Sequence, residues 1–249
     1  MIGVAASGSE PGFIGKTLVL ARKDLRIETR ARDTLPPMLA FAFAVTLLLA
    51  FTLPAPGPLR RPIDIPAAGT VRLADVLAGF LWITVLFAGL IGFARTFETE
   101  RRDGALEVLL LAPLDRSGLF VAKAVANLVY IVLVEIFLLP AFAILYGVDL
   151  GSSFGALVLV ALLVDIGFVS TGTLFASLAA RTRSRELMLP ILALPAVVPV
   201  FIAAVELSSD LFLGGGFDAV TETGWFAILV VFDIVFSVVG ALGFEFAIE

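Results

Sequence analysis

The chain has 249 residues, 60% of them hydrophobic and only 16% charged, with a mean hydropathy of +1.07 and a formal net charge of −5. Soluble domains are roughly half apolar and a quarter charged, so a soluble fold is excluded, a multi-pass membrane protein is expected, and no nucleic-acid partner is read. His and Cys are both absent, which removes disulfides, zinc sites, cysteine nucleophiles and His or Cys ligation of haem iron; no catalytic residue and no metal site is expected.

Residues 1–12 are rich in Gly and Ser and read as disordered. The opening MIGVAASGSEPGF has neither a basic start nor a long apolar core, so no cleavable signal peptide is expected and the first span directs insertion. GFIGKT looks like a phosphate-binding loop, but the glycine needed five residues before Gly15 is Glu10, and no strand precedes it. ATP use is therefore left to another subunit. Next, FIGKTLVLARKDLRIETRARD (13–33) places Ile14, Leu18, Ala21 and Leu25 on one helical face and Arg22, Arg26 and Arg30 on another. That pattern predicts an interfacial amphipathic helix, apolar side in the acyl boundary and arginines at the phosphates. A basic flank of the first span is the plainer reading, and the two are compatible.

Six stretches approach the roughly 20 apolar residues that cross a ~30 Å hydrocarbon core: about 35–54, 74–94, 119–147, 154–180, 188–207 and 225–244. With the N-terminus inside, every Lys and Arg except Arg60, Arg61 and Arg72 faces the cytoplasm, while the later outside loops hold Asp149, Asp210, Asp218 and Glu222. This positive-inside pattern puts both termini in the cytoplasm of a plasma-membrane protein.

Between spans two and three, residues 95–116 carry Arg95, Arg101, Arg102 and Arg116 against Glu98, Glu100, Asp103, Glu107 and Asp115. A segment built to grip anionic lipid would be polybasic, and this one is not. Glu98 reaches Arg101 and Arg102 at helical spacing, each pair contributing ~0.2–0.5 kcal/mol. Leu106, Leu109 and Leu110 form an apolar patch; Pro113 disfavours helix at Ala112 and stops the run; Asp115 or Ser117 can cap the next helix. Such a helix suits docking into a groove on another protein. Packing of the leucines against the chain's own spans is the other reading, and it stays open.

Polar residues inside the spans are few: Asn127 and Glu135 in span three, Asp165 in span four and Asp233 in span six. An ionisable group at that depth is costly and suggests function. Asp165 and Asp233 either snorkel or pair with Ser170, Thr171 or Asn127. Glu135, near mid-span, is the best candidate to face a substrate or partner, with bonding between helices as the plainer role. Pro190, Pro195 and Pro199 predict a kinked or broken fifth helix.

LWITVLFAGLIGFARTFETERRDGALEVLLLAPLDRSGLFVAK (81–123) resembles the CcmB family of cytochrome c maturation proteins, membrane subunits of an ABC-type haem exporter complex. DLRIETR (24–30) follows that family's D-L-R-x-E-x-R through Asp24, Arg26, Glu28 and Arg30. GTLFASLAARTRSRELMLPILALPAVVP (172–199) continues the likeness, which covers roughly 20–205. The resemblance implies an all-α, six-helix ABC-2-type permease: residues 1–33 a disordered start plus interfacial helix, and 34–249 one transmembrane domain. It also implies a cytoplasmic coupling segment, 95–118, meeting a CcmA-like ATPase through Arg95, Glu98, Glu100, Arg101, Arg102, Leu106, Glu107, Leu109, Leu110 and Pro113. CcmC- and CcmD-like membrane partners, a homodimer, ATP bound by the partner subunit and haem as cargo follow in the same way, with no cofactor held by this chain. The lack of His favours ATP-driven release of a haem-loaded chaperone over passage of haem through this subunit. A generic ABC-2-type exporter for another substrate is the alternative. A proton-coupled secondary transporter using Glu135 and Asp165 would favour inverted repeats, and none is visible. A membrane-embedded enzyme lacks a catalytic constellation.

Overall fold

The computed structural model describes residues 12–53, 59, 61–65, 69–98, 116–148, 151, 153–180, 182 and 185–248. Helix α1 (Phe13–Ala31) leads into α2 (Leu35–Thr52), and an antiparallel hairpin of β1 (Pro62–Ile65) and β2 (Gly69–Arg72) follows, with Pro62 opposite Arg72. Then come α3 (Leu73–Arg95), α4 (Arg116–Tyr146), α5 (Phe154–Ala180), α6 (Arg185–Phe212), the short α7 (Gly216–Thr221) and α8 (Gly224–Ile248). Among the described residues, α2, α3, α4, α5, α6 and α8 are long and apolar enough to cross a membrane. The chain is an all-α polytopic membrane protein.

Large apolar side chains point outward on these helices: Phe51 is 84% exposed and Ile144 82%. In water such a surface would aggregate; in hydrocarbon it is the solvated face. Hydroxyls inside the spans turn back to their own helix, Thr46 donating to the Ala42 carbonyl, Thr84 to Phe80 and Thr171 to Gly167. Lipid offers no competing partner, so each bond of this kind hides a polar group that would otherwise be stranded.

Helices α3 and α5 are the most enclosed, and they lock by a reciprocal exchange. The Phe168 ring of α5 fills the space where Gly89 of α3 lacks a Cβ, and the Phe93 ring of α3 does the same at Gly172 of α5. The two rings meet edge to face, centroids 4.9 Å apart. Phe168 continues to Phe201 of α6 at 5.0 Å, and Phe201 to Trp82 of α3 at 6.1 Å. Small residues at crossing points let membrane helices approach closely where no hydrophobic drive between helices exists.

Helix α6 runs on to Phe212, five residues past the expected end of span five, through the polar stretch Ser208, Ser209 and Asp210. Trp82 Nε1–H donates to Ser208 Oγ at 2.9 Å, and Arg72 donates to Ser209 Oγ at 3.1 Å and to Asp210 Oδ1 at 2.9 Å. Partners on α3 and β2 thus satisfy groups that hydropathy alone reads as a loop. The same helix runs unbroken through Pro190, Pro195 and Pro199, so of the expected kink or break the break does not occur. Pro140 likewise lies inside α4.

Candidate functional site

At one end of the bundle α1 lies across the base of α4. Its buried side carries Thr17 and Ala21, and Gly118 of α4 leaves room for the Thr17 hydroxyl and the Phe13 ring. One helical turn further, Asp24 is held between two lysines: Oδ2 lies 2.9 Å from Lys123 Nζ on α4, and Oδ1 lies 3.3 Å from Lys23 Nζ. The Lys123 and Asp24 side chains are only 5% and 13% exposed. At that separation the attraction is about 6 kcal/mol for an effective dielectric near 20, offset by the desolvation of both ions. The Lys123 ammonium also sits 5.5 Å from the centre of the Phe97 ring, just past the end of α3. Phe97 is buried and packs on Phe244 of α8, which Phe120 of α4 also touches.

Glu28 ties α1 to the first span. Helix α1 stops at Arg32, whose φ of 54° is left-handed and whose N–H returns to the Glu28 carbonyl at 2.9 Å. The Glu28 side chain then accepts the N–H groups of Thr34 at 2.9 Å and Leu35 at 2.8 Å. Pro36 and Pro37 bring no donor to that first turn, so one carboxylate takes the N–H groups that open α2 and sits at the positive end of its dipole. Deeper in, Asn127 Oδ1 accepts from Thr96 at 3.1 Å while its Nδ2 donates to Thr173 at 3.0 Å, bonding α4 to the end of α3 and to the interior of α5. Arg95, Thr96, Asp24, Lys123 and Asn127 line a polar cleft of about 50 Å³ between these elements.

Of the residues expected to meet a partner, Arg95 and Glu98 stand where the chain leaves α3. Glu100, Arg101, Arg102, Leu106, Glu107, Leu109, Leu110 and Pro113 lie outside the described residues. On α1, Arg26 and Arg30 are exposed, and Asp24 and Glu28 turn inward. The expected single apolar face divides: Ile14 and Leu18 are 72% and 59% exposed, while Ala21 is buried in the docked side. Sequence reasoning missed Lys123 and Phe97 as members of this corner. The signal was present, since a lysine several residues inside an apolar helix needs a partner.

The intramembrane acids gather at one depth. Glu135 stands eleven residues before Tyr146, Asp165 eleven after Phe154 and Asp233 nine after Gly224, or about 14–17 Å from the same end of the bundle at 1.5 Å per residue. All three are buried, and the Glu135 and Asp165 carboxyl groups face each other. Among the described residues no donor reaches either oxygen of Asp165 or Asp233. Carboxylates bring no donor of their own, so a facing acid pair is held only by a proton between them. Asp233 instead lies over Gly167 of α5, where a Cβ would collide with it. The expected pairings fail because Asn127 is spent on Thr96 and Thr173, Thr171 on its own helix, and Ser170 on Ser237 at 3.0 Å.

At that end Arg72 ties three elements. Its backbone N–H and Nε donate to Asp75 at 2.8 and 2.9 Å, and its other nitrogens reach Ser209 and Asp210. The hydrogen bond to Asp75 raises the guanidinium above the usual arginine range, against the smaller opposing effect of burial.

A family model described as CcmB protein matches residues 16–249. A Heme exporter protein B from Rhodobacter capsulatus is 31% identical over 189 residues, covering 76% of this chain and 80% of that protein. The Heme exporter protein B of Paracoccus denitrificans is 30% identical over 184 residues, covering 74% and 78%. That of Bradyrhizobium diazoefficiens is 27% identical over 195 residues, covering 78% and 82%. The chain belongs to the CcmB family.

Proposed function

From that membership we propose that the chain is the membrane permease subunit of an ABC-type haem exporter complex serving cytochrome c biogenesis, driven by ATP hydrolysis in a separate subunit. The observation that carries the proposal is the family match across 16–249, with relatives named for haem export over most of their length. The placement of Lys and Arg supports cytoplasmic termini in a plasma-membrane protein, with α1 and the segment 95–118 on the ATPase side. A CcmA-like ATPase would then take Leu106, Leu109 and Leu110 as apolar anchors, with Arg95, Glu98, Glu100, Arg101, Arg102 and Glu107 setting register and Pro113 ending the helix. The complex includes CcmC- and CcmD-like membrane proteins and two copies of this chain. Haem is cargo; with no His and no Cys, this subunit lacks the two commonest axial ligands, which favours ATP-driven release of a haem-loaded chaperone.

The test is co-purification of the chain with its ATPase from membranes, with and without Leu106→Asp combined with Leu110→Asp. Loss of the ATPase from the double variant, with the variant still inserted, is the expected result. Unchanged association removes the docking reading. Haem transfer to the chaperone, followed by its absorbance with and without ATP, distinguishes haem delivery from export of another substrate.

A further inference from the structure

The chain leaves α3 at Phe97 and re-enters the bundle in α4, and one buried ammonium touches both flanks of that connection. Lys123 Nζ lies over the Phe97 ring on the exit side, belongs to α4 on the return side, and is bound at 2.9 Å to Asp24 of α1. Its described neighbours are packed and hydrogen-bonded to the rest of the bundle. Phe97 and Phe120 are wedged on Phe244 of α8, Asn127 bonds the next turn of α4 to α3 and α5, and Glu28 fastens α1 to the start of α2. A displacement of either flank therefore moves α1 with it, unless Lys123 parts from Asp24 while both remain shielded from water. The opposite face of α1 carries exposed Arg22, Arg26 and Arg30.

We propose that Lys123 and Asp24 are a positioning pair that carries movement of the connection between α3 and α4 into α1, and through Glu28 into the first span. The proposal rests on the reading that an ATPase docks on that connection, and assigns the pair to transmission rather than to docking. Charge is essential because an ion pair keeps its partners together through a sliding motion in which apolar contacts would exchange.

The experiment uses the complete complex with its ATPase in lipid nanodiscs. Asp24→Asn with Lys123→Met removes both charges at nearly constant volume and leaves Lys23 at 39% exposure, where water reaches it, and Lys123→Arg keeps the charge. Since the chain has no cysteine, spin labels at Leu18→Cys on α1 and Ile144→Cys at the far end of α4 report the α1 position by pulsed electron resonance. Expected are an α1 shift on nucleotide trapping in the wild type and Lys123→Arg, no shift in the neutral pair, normal ATPase association in all three, and haem transfer lowered about tenfold in the neutral pair alone. An equal label shift or transfer within twofold in the neutral pair overturns the proposal. So does loss of the ATPase from it, since the pair would then serve docking. The Leu106 and Leu110 double variant, run alongside, tests the docking reading separately.

Discussion

Gly172→Ala adds a single methyl group on α5, yet the Phe93 ring already occupies that position, with three ring carbons in the way. Ring and methyl carbons settle near 3.5–4 Å apart, so α3 and α5 must separate or Phe93 must leave its rotamer. Phe93 cannot turn freely, because its edge is packed on Phe168, which is itself seated over Gly89. Overpacking of this kind costs about 1–3 kcal/mol, against a gain of up to ~1 kcal/mol from replacing a mid-helix glycine. The net loss of about 1–2 kcal/mol corresponds to a melting temperature lower by roughly 2–8 °C for a chain of this size. Gly79→Ala on α3 is the internal control, since nothing lies within 4 Å of the Cβ it would add; it should be neutral or slightly stabilising. Melting of purified protein in detergent, followed by tryptophan fluorescence, reads both. Adding Phe93→Leu to Gly172→Ala should recover part of the loss, a coupling of about 0.5–3 kcal/mol. Equal melting of the Gly172→Ala and Gly79→Ala proteins, or strict additivity with Phe93→Leu, refutes the interlocked crossing.

Asp24→Asn breaks an ion pair whose lysine is 5% exposed and should cost up to about 3–5 kcal/mol, whereas Lys123→Met leaves Asp24 its second lysine and should cost less; denaturation of the two single variants in parallel checks the order. Glu135→Leu removes the partner that faces the buried Asp165 carboxyl, whereas Glu135→Gln keeps a donor there, so the melting temperature should fall further in the first variant than in the second; equal melting of the two would mean that the pair does not hold α4 to α5. Glu28→Ala removes the acceptor for two N–H groups at the start of α2; a loss of about 1–2 kcal/mol and faster tryptic cleavage at Arg30 and Arg32 are expected, and an unchanged digest would count against the cap.

The spans were legible because lipid demands long apolar runs, and α5 begins and ends where hydropathy placed it, at Phe154 and Ala180. The end of α6 was not, since Ser208, Ser209 and Asp210 look like a loop until Trp82 and Arg72 are seen to bond them. The hairpin at 62–72 depends on cross-strand pairing and carries no span-like signal. At the candidate site, Asp24 and Glu28 were singled out by family likeness, but what they bind could not be read. Their partners, Lys123 and the start of α2, are fixed by how α1 lies on the bundle. Membrane acids were easy to spot and hard to pair, because hydroxyls on a helix bond their own carbonyls more readily than a distant carboxyl.

The Arg72 clasp also sets an order of events during synthesis. Asp75 is three residues away, and Asp210 is 138. At the ~5–20 residues per second of a working ribosome, Arg72 waits some 7–30 seconds after its own translation for its distant partner. Until then Asp75, at the start of α3, holds the guanidinium, so the charge has a counter-ion from the outset. When the end of α6 arrives, the same arginine has nitrogens left over to capture it, and the second and fifth spans are sealed together by a residue that had been waiting since the second was made.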